Sequence, residues 1–154
     1  MLPLVFELTS SAWLPGAVIP ARHTCSGDDV SPPLSWTAPP ETAVSLALVT
    51  DDPDASGRTW SHWLVWNLPT TVRSLAEGQR VGAPGMVQGT NDFGKVGYSG
   101  PCPPPGHGTH RVFTRLYALD TLLPLGEAAG LIELRGALKG HVVASTELMG
   151  RSWR

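Results

Sequence analysis

The chain has 154 residues, 42% of them apolar and 16% charged, with a formal net charge of −2. Its length predicts a single domain over residues 1–154 that can bury a sizeable core. The charge argues against a nucleic-acid partner, which would need clustered Lys and Arg. No apolar run reaches transmembrane length and the first residues lack a signal-peptide pattern, so we expect a cytoplasmic protein without stable membrane insertion.

Short strands and ordered loops are predicted along most of the chain, because seventeen glycines and fifteen prolines interrupt it. Apolar or alternating runs predict strands at residues 6–10, 45–50, 61–67, 109–119 and 141–149. Residues 31–36 predict an extended segment at a sheet edge, because Pro32 and Pro33 cannot donate to a central ladder. Residues 78–100 are glycine-rich without periodicity, which predicts a long, ordered loop.

One helix is predicted, at residues 127–139. Ala128, Leu131, Leu134 and Leu138 recur at helical spacing, and Gly140 fits the position that follows a helix C-terminus. Several strands with one late helix predict a mainly β fold and argue against a parallel βαβ arrangement.

Cys25 and Cys102 are the two cysteines of the chain. Two cysteines are too few for a disulfide framework, and their spacing is not that of metal ligands. We therefore expect thiols in loops, and the sequence leaves open whether the two approach one another. Neither a metal ion nor a cofactor is predicted.

Two segments imitate ligand-binding loops but fail at the deciding position. Residues 89–95 match most of a phosphate-binding P-loop, yet Val96 replaces the Ser or Thr that holds Mg²⁺. Residues 52–57 imitate the start of a calcium-binding EF-hand loop, yet Trp63 takes the place of its bidentate Glu. Neither segment is predicted to bind the usual ligand of its motif.

Four titratable residues lie at predicted strand ends, in two segments whose backbone is held rigid by proline: Asp52, Asp54, His62 and His110. Taken singly, each has an ordinary interpretation, because Asp before Pro starts turns and His at a strand end usually packs. Taken together, carboxylates raise the pKa of neighbouring imidazoles, which can then donate to a phosphate or carboxylate group. The carboxylates could also bind an ammonium group. The set predicts a pocket for a small zwitterion or a phosphorylated group of limited negative charge.

The segments around these residues resemble the phosphatidylethanolamine-binding protein family, most closely its bacterial and archaeal Raf-kinase-inhibitor-like branch. The resemblance covers nearly the whole chain, and its motifs follow in the family's order. The matching segments are Asp52-Pro53-Asp54-Ala55, Trp60-x-His62, His110-Arg111 after a Gly/Pro-rich loop, residues 31–36, Asn91-Asp92-Phe93-Gly94 with Gly97-Tyr98, and residues 140–148.

The resemblance implies a large central antiparallel sheet packed with a smaller sheet, and a few short helices including one near the C-terminus. It also implies an anion pocket. The carboxylate and histidines of this pocket would be Asp52, His62 and His110, and its walls would include Asp54, Trp60, Gly100 and Pro104.

Two further family features concern the rim of this pocket. The family often has a tyrosine whose hydroxyl reaches the anion where this chain has Val112, so we expect a changed anion affinity or headgroup preference. The family also tends to have a strained, sometimes cis, peptide before the pocket tryptophan. The corresponding bond here is Arg58-Thr59.

Two classes of function follow. The first is a non-enzymatic binding and regulatory protein for a phosphate, phosphoethanolamine-like or carboxylate ligand. For this class the family implies a protein kinase or protease as target, and a homodimer. The second class is a small hydrolase that uses Asp52, His62 and His110 as acid–base groups or metal ligands. The first is preferred because no separate nucleophile is evident, and Ser61 points away from His62 if both lie in one strand.

Overall fold

Two antiparallel sheets form the framework of the chain, and the computed structural model describes residues 5–154. One sheet has five strands in the order β6-β4-β3-β7-β8, and the other has three in the order β1-β2-β5. Within the described residues the strands are β1 (Leu8–Thr9), β2 (Leu34–Trp36), β3 (Ser45–Asp52), β4 (Trp60–Pro69), β5 (Ser74–Leu75), β6 (Val87–Gln88), β7 (His110–Leu119) and β8 (Val142–Ser152). The mainly β prediction is confirmed.

The side chains of β3 explain why this strand lies at the centre of the large sheet. All its residues are buried, and it pairs with β4 on one side and β7 on the other. Successive residues of a strand point to opposite faces. Leu46 and Leu48 accordingly belong to one apolar cluster, whereas Ala47 and Val49 belong to another. The large sheet therefore has two covered faces.

Each face of the large sheet has its own cover. The first cluster joins Leu8, Leu34 and Trp36 of the small sheet to large-sheet residues such as Trp63 and Leu116. On the other face lies a helix, α1 (Leu131–Leu138), with Leu131, Leu134 and Leu138 buried against the second cluster. Together with a short 3-10 helix at Ala21–His23, this arrangement confirms the predicted packing of the two sheets and the late helix.

Helix α1 begins four residues later than predicted. The amide of Ala129 donates to the carbonyl of Gly126 in a turn, and the Glu133 carboxylate accepts a hydrogen bond from the amide of Gly130 at 3.0 Å. This capping contact fixes the start of the helix at Leu131. The predicted end is confirmed, because Gly140 has a φ of 79°, a conformation that glycine adopts without strain.

The prediction that residues 31–36 form a sheet edge is wrong. Strand β2 lies between β1 and β5, with Leu34 opposite Leu75 and Trp36 opposite Leu8. Pro32 and Pro33 precede the strand, so their missing N–H groups fall outside the ladder. The predicted loop at 78–100 contains the short edge strand β6, which pairs with β4.

The prediction that both cysteines are thiols is also wrong. Cys25 and Cys102 form a disulfide, with a Cα–Cα distance of 5.3 Å, that spans 77 residues of sequence. Disulfides are uncommon in the reducing cytosol of mesophiles. The bond therefore weighs against the cytoplasmic location, which stays a prediction. Within residues 5–154, no helix has the length and hydropathy needed to cross a membrane.

Candidate functional site

A cavity of about 240 Å³ lies where β3, β4 and β7 meet the proline-rich segment. Three of these lining residues come from strand ends, at the end of β3 and the starts of β4 and β7. The others come from two loops, the β3–β4 connection and the long β6–β7 connection. The lining residues are Asp52, Ala55, Ser56, Trp60, Phe93, Cys102, Pro103, Pro104 and His110. Four of the predicted site residues thus meet in one cavity, namely Asp52, Trp60, Pro104 and His110.

A chain of hydrogen bonds runs through this cavity from a buried carboxylate to its rim. His110 donates from Nδ1 to Asp52 Oδ2 at 2.5 Å, and both residues are buried. The second nitrogen of His110, Nε2, lies 2.6 Å from Nδ1 of His107. His107 Nε2 lies 3.4 Å from the hydroxyl of Ser56. Neither His107 nor Ser56 is among the residues predicted for the site.

His62 lies behind the cavity lining. Its Nδ1 donates to the carbonyl of Ser99 at 2.7 Å, and its ring packs against Phe93 with centroids 5.5 Å apart. Burial lowers the pKa of His62 below its ordinary value, against the opposing effects of the Ser99 carbonyl and the Asp52 carboxylate. A neutral ring that donates from Nδ1 has its acceptor at Nε2. His62 therefore offers an acceptor near neutral pH, whereas the sequence predicted a donor.

Asp54 lies outside the cavity lining and stabilises the turn that follows β3. It accepts hydrogen bonds from the Arg111 backbone amide at 2.8 Å and from the Arg111 guanidinium at 2.9 and 3.0 Å. These bonds lower the pKa of Asp54 to about 2. Asp54 joins the turn after β3 to the start of β7, so it holds Asp52 and His110 in register.

Gly100 also lies outside the lining, where it brings two loops into close contact. Its amide donates to Asp29 Oδ1 at 2.7 Å. A Cβ at this position would collide with the backbone carbonyl of His23. The close approach places the proline-rich segment against residues 23–29, and the Cys25–Cys102 disulfide links the same two segments covalently. The wall that carries Cys102, Pro103 and Pro104 is therefore anchored twice.

Asn91 positions a second wall. Its side-chain oxygen accepts from the amides of Phe93 and Lys95, at 2.9 and 3.2 Å. Its Nδ2 donates to the Gly97 carbonyl at 3.0 Å and to the Ser99 hydroxyl at 3.1 Å. One buried amide thus organises the segment that brings Phe93 to the cavity and Ser99 to His62. The Asn-Asp-Phe-Gly motif was the available sequence signal for Phe93.

The remaining predicted features of the rim have structural explanations. Val112 is buried in the first apolar cluster, opposite Gly150 of β8. The Arg58-Thr59 bond is trans, as are the other peptide bonds in the described range.

Ser61 is buried, and its backbone amide donates to Asp92 at 2.7 Å. In residues 5–154, no three His, Cys, Asp or Glu side chains come together as a metal ion would require.

A larger cavity, of about 340 Å³, lies between helix α1 and the turn after β3. Two arginines line it, but both already bind carboxylates. Arg58 lies 3.3 Å from Asp92, and Arg135 lies 3.1 Å from Asp51. Because its cations are paired, this cavity offers a weaker case for a ligand than the smaller one with the Asp52–His110 pair.

A model of a known family matches almost the whole chain. The family is described as phosphatidylethanolamine-binding protein, and the match covers residues 9–153. The chain belongs to the phosphatidylethanolamine-binding protein family. Among its relatives, a UPF0098 protein of Methanothermobacter thermautotrophicus is 47% identical over 135 residues, covering 86% of this chain and 88% of the relative. A UPF0098 protein of Chlamydia muridarum is 43% identical over 149 residues, covering 94% of this chain and 96% of the relative.

Solved structures agree with this membership of the phosphatidylethanolamine-binding protein family. A homologue from Chlamydia trachomatis is 41% identical with a TM-score of 0.88, covering 97% of both chains. E. coli YbcL, a member of the same family, is 32% identical with a TM-score of 0.91, covering 97% of this chain and 98% of that one. A carboxypeptidase Y inhibitor bound to its cognate proteinase is 16% identical with a TM-score of 0.58, covering 96% and 83% of the two chains, and shows likeness of fold alone.

Proposed function

We propose that this family member is a binding protein whose Asp52–His110 cavity takes a small ligand with an acidic group. The observation that carries the proposal is the buried Asp52–His110 pair in a cavity walled by Trp60, Phe93 and Pro104. A carboxylate that holds one imidazole nitrogen orients the other toward a ligand. The aromatic and proline walls present apolar surface that would strengthen a polar contact made there.

The charges in the cavity favour a ligand of low net charge. Asp52 lines the cavity and its carboxylate oxygens are hydrogen-bond acceptors, so a dianion would meet repulsion there. A monoanion or a zwitterion such as O-phosphoethanolamine fits better, since its ammonium or acidic hydroxyl can donate to these acceptors. A volume of about 240 Å³ suits a headgroup rather than a whole lipid.

Histidine NMR during titration with phosphate and O-phosphoethanolamine tests the proposal. We expect shifts at the His110 ring and the Trp60 indole that are lost in His110→Gln. His141 provides the matched control, because its Nδ1 binds Asp120 at 2.7 Å in a comparable pair outside the cavity. His141→Ala should bind as the wild type does. Ligand shifts that persist in His110→Gln would locate the ligand elsewhere.

A hydrolase is the second candidate, and one contact favours it. Ser56 lies at the rim, 3.4 Å from His107, at the end of the hydrogen-bond chain that begins at Asp52. This contact is long for a hydrogen bond and belongs to an exposed serine, which places the hydrolase behind the binding protein. Turnover of p-nitrophenyl acetate or p-nitrophenyl phosphate that is lost in both Ser56→Ala and His107→Ala would reverse this order.

Inhibition of a kinase or protease, and a homodimer, stay predictions from the family resemblance. The likeness to a proteinase-bound inhibitor concerns the fold at 16% identity. Function depends on the residues of a site rather than on the fold that carries it.

A further inference from the structure

We propose that His107 occupies the place of the ligand on His110, and that a phosphate monoester in its monoanionic form displaces it. This inference rests on the proposed function, because it names the ligand class and the competing residue of the same cavity. The juxtaposition behind it is the 2.6 Å contact between His107 Nδ1 and His110 Nε2, beside a cavity that His110 lines.

The directions of the hydrogen bonds leave His110 without a free nitrogen. Asp52 can only accept, so the hydrogen on His110 lies on Nδ1 and the lone pair of the neutral ring lies on Nε2. In the neutral form of His110, His107 donates from Nδ1 to His110 Nε2, and its own Nε2 can accept from Ser56. A ligand that binds His110 must replace the N–H of His107.

His107 is placed so that it can leave. Its side chain is exposed, whereas those of His110 and Asp52 are buried. Gly106 and Gly108 flank it, both with positive φ and with open space around their Cα atoms. One backbone bond, from the amide of His107 to the carbonyl of Pro104, closes the turn without involving the ring. The ring can therefore swing away while the wall of the cavity stays in place.

A ligand that takes the place of His107 must donate one hydrogen bond to His110 Nε2. The hydroxyl of a phosphate monoester monoanion can donate to His110 Nε2 as the His107 N–H does, so the exchange needs no proton from solvent. Sulfate has no such hydroxyl near neutral pH, so it cannot donate to Nε2 of a neutral His110 ring. The second pKa of a phosphate monoester is about 6, so the monoanion is abundant in mildly acidic solution. The cavity should therefore prefer phosphate monoesters to sulfate.

The charged groups around His110 agree with a singly charged ligand. Asp52 faces it from β3, and Asp54 lies beyond the start of β7, where Arg111 neutralises it. His62 stands on β4 behind the cavity, and Arg154 from the C-terminal segment donates to the carbonyl of Pro103. Asp52 therefore remains the nearest uncompensated charge once the His110 ring is neutral, and it disfavours a second negative charge on the ligand.

Calorimetric titration at pH 6 with phenyl phosphate and with sulfate tests the inference. In the wild type we expect phenyl phosphate to bind at least tenfold more tightly than sulfate. His107→Ala should bind phenyl phosphate about five- to tenfold more tightly than the wild type, because one competing hydrogen bond is gone. His107→Phe keeps the ring but not its N–H and should show the same direction of change. His141→Ala should leave both affinities unchanged.

The other outcomes separate the two proposals. If His107→Ala weakens phenyl phosphate binding, His107 is a ligand contact rather than a competitor, and the inference is wrong. Equal affinities of wild type and His107→Ala, or equal affinities for phosphate and sulfate, overturn the inference but leave the proposed function intact. Failure of every variant to bind either anion overturns the proposed function, and the inference with it.

Discussion

Asp51 and Asp52 are neighbours in β3, but their carboxylates lie on opposite faces of the large sheet. Asp51 accepts hydrogen bonds from Arg115 at 3.0 Å and from Arg135 of helix α1 at 3.1 Å. Asp52 accepts instead from His110 in the candidate cavity. The period of two along a strand thus assigns one carboxylate to the attachment of the helix and the next to the site.

Substitution of these two residues should separate stability from binding. Asp51→Asn should lower the free energy of unfolding by about 2 kcal/mol, because a buried ionic hydrogen-bond network is lost. Phosphate-induced shifts at His110 should survive this change. Asp52→Asn should instead weaken phosphate binding about tenfold, because His110 loses the charged partner that orients its ring. Urea denaturation and NMR titration of both variants provide the measurements.

The opposite result for Asp52→Asn would be informative. The Asp52 charge also repels an anionic ligand, so its removal could tighten binding if repulsion outweighed orientation. Tighter phosphate binding in Asp52→Asn would contradict the orienting role of this carboxylate.

The buried His62 should make the protein less stable in mildly acidic solution. Burial lowers the pKa of the folded-state ring below the ordinary value of about 6.5. The unfolded chain therefore binds the proton more readily, and the free energy of unfolding falls as pH decreases from about 6.5 toward the lower folded-state pKa. The pH dependence of the His62 Hε1 chemical shift measures the folded-state pKa directly. A midpoint at or above 6.5 would contradict the prediction.

Asp54 should contribute a separate acid-dependent step. Its pKa is about 2 in the folded protein, against about 3.9 in an unfolded chain. The stabilisation is therefore fully present above about pH 4 and is lost as pH falls toward 2. Asp54→Asn should remove this part of the pH dependence, and denaturant titrations of the two proteins between pH 2 and 5 compare them. Parallel stability curves would show that Asp54 has no such role.

Removal of the disulfide should destabilise the protein and disturb the cavity wall. Cys25→Ser/Cys102→Ser should lower the free energy of unfolding by about 2–4 kcal/mol, because the bond restricts a loop of 77 residues in the unfolded chain. Phosphate affinity should fall as well, since Cys102 lines the cavity. Dithiothreitol should reproduce both effects in the wild type and have neither in the double variant. An unchanged midpoint of unfolding would argue that the bond is dispensable.

The sequence predicted those parts of the fold that depend on local pattern. The buried run that forms β3, the strand that starts near His62 and the helical spacing of Leu131, Leu134 and Leu138 were all legible. The position of β2 was not, because the place of a strand within a sheet depends on partners distant in sequence. The start of α1 was also missed, since the hydrogen bond to Glu133 competes with helical periodicity through residues 127–130.

The candidate site was predicted in the same uneven way. Asp52 and His110 were predicted as titratable residues at strand ends, and the structure joins them across β3 and β7 by a hydrogen bond. The contact between His107 and His110 depends on the folded geometry, so the sequence did not predict the role of His107. The Cys25–Cys102 bond depends on the meeting of two loops at Gly100, which no local pattern encodes.

The disulfide also divides the chain into a covalent ring and two tails. Strands β2 to β6 lie inside the ring, whereas β7, α1 and β8 belong to the C-terminal tail. The pairing of β3 with β7 joins the ring to the C-terminal tail. Asp52 belongs to the ring and His110 to the tail. A ligand bound across these two residues would favour the docked tail. Occupancy of the cavity and attachment of the tail would then reinforce one another.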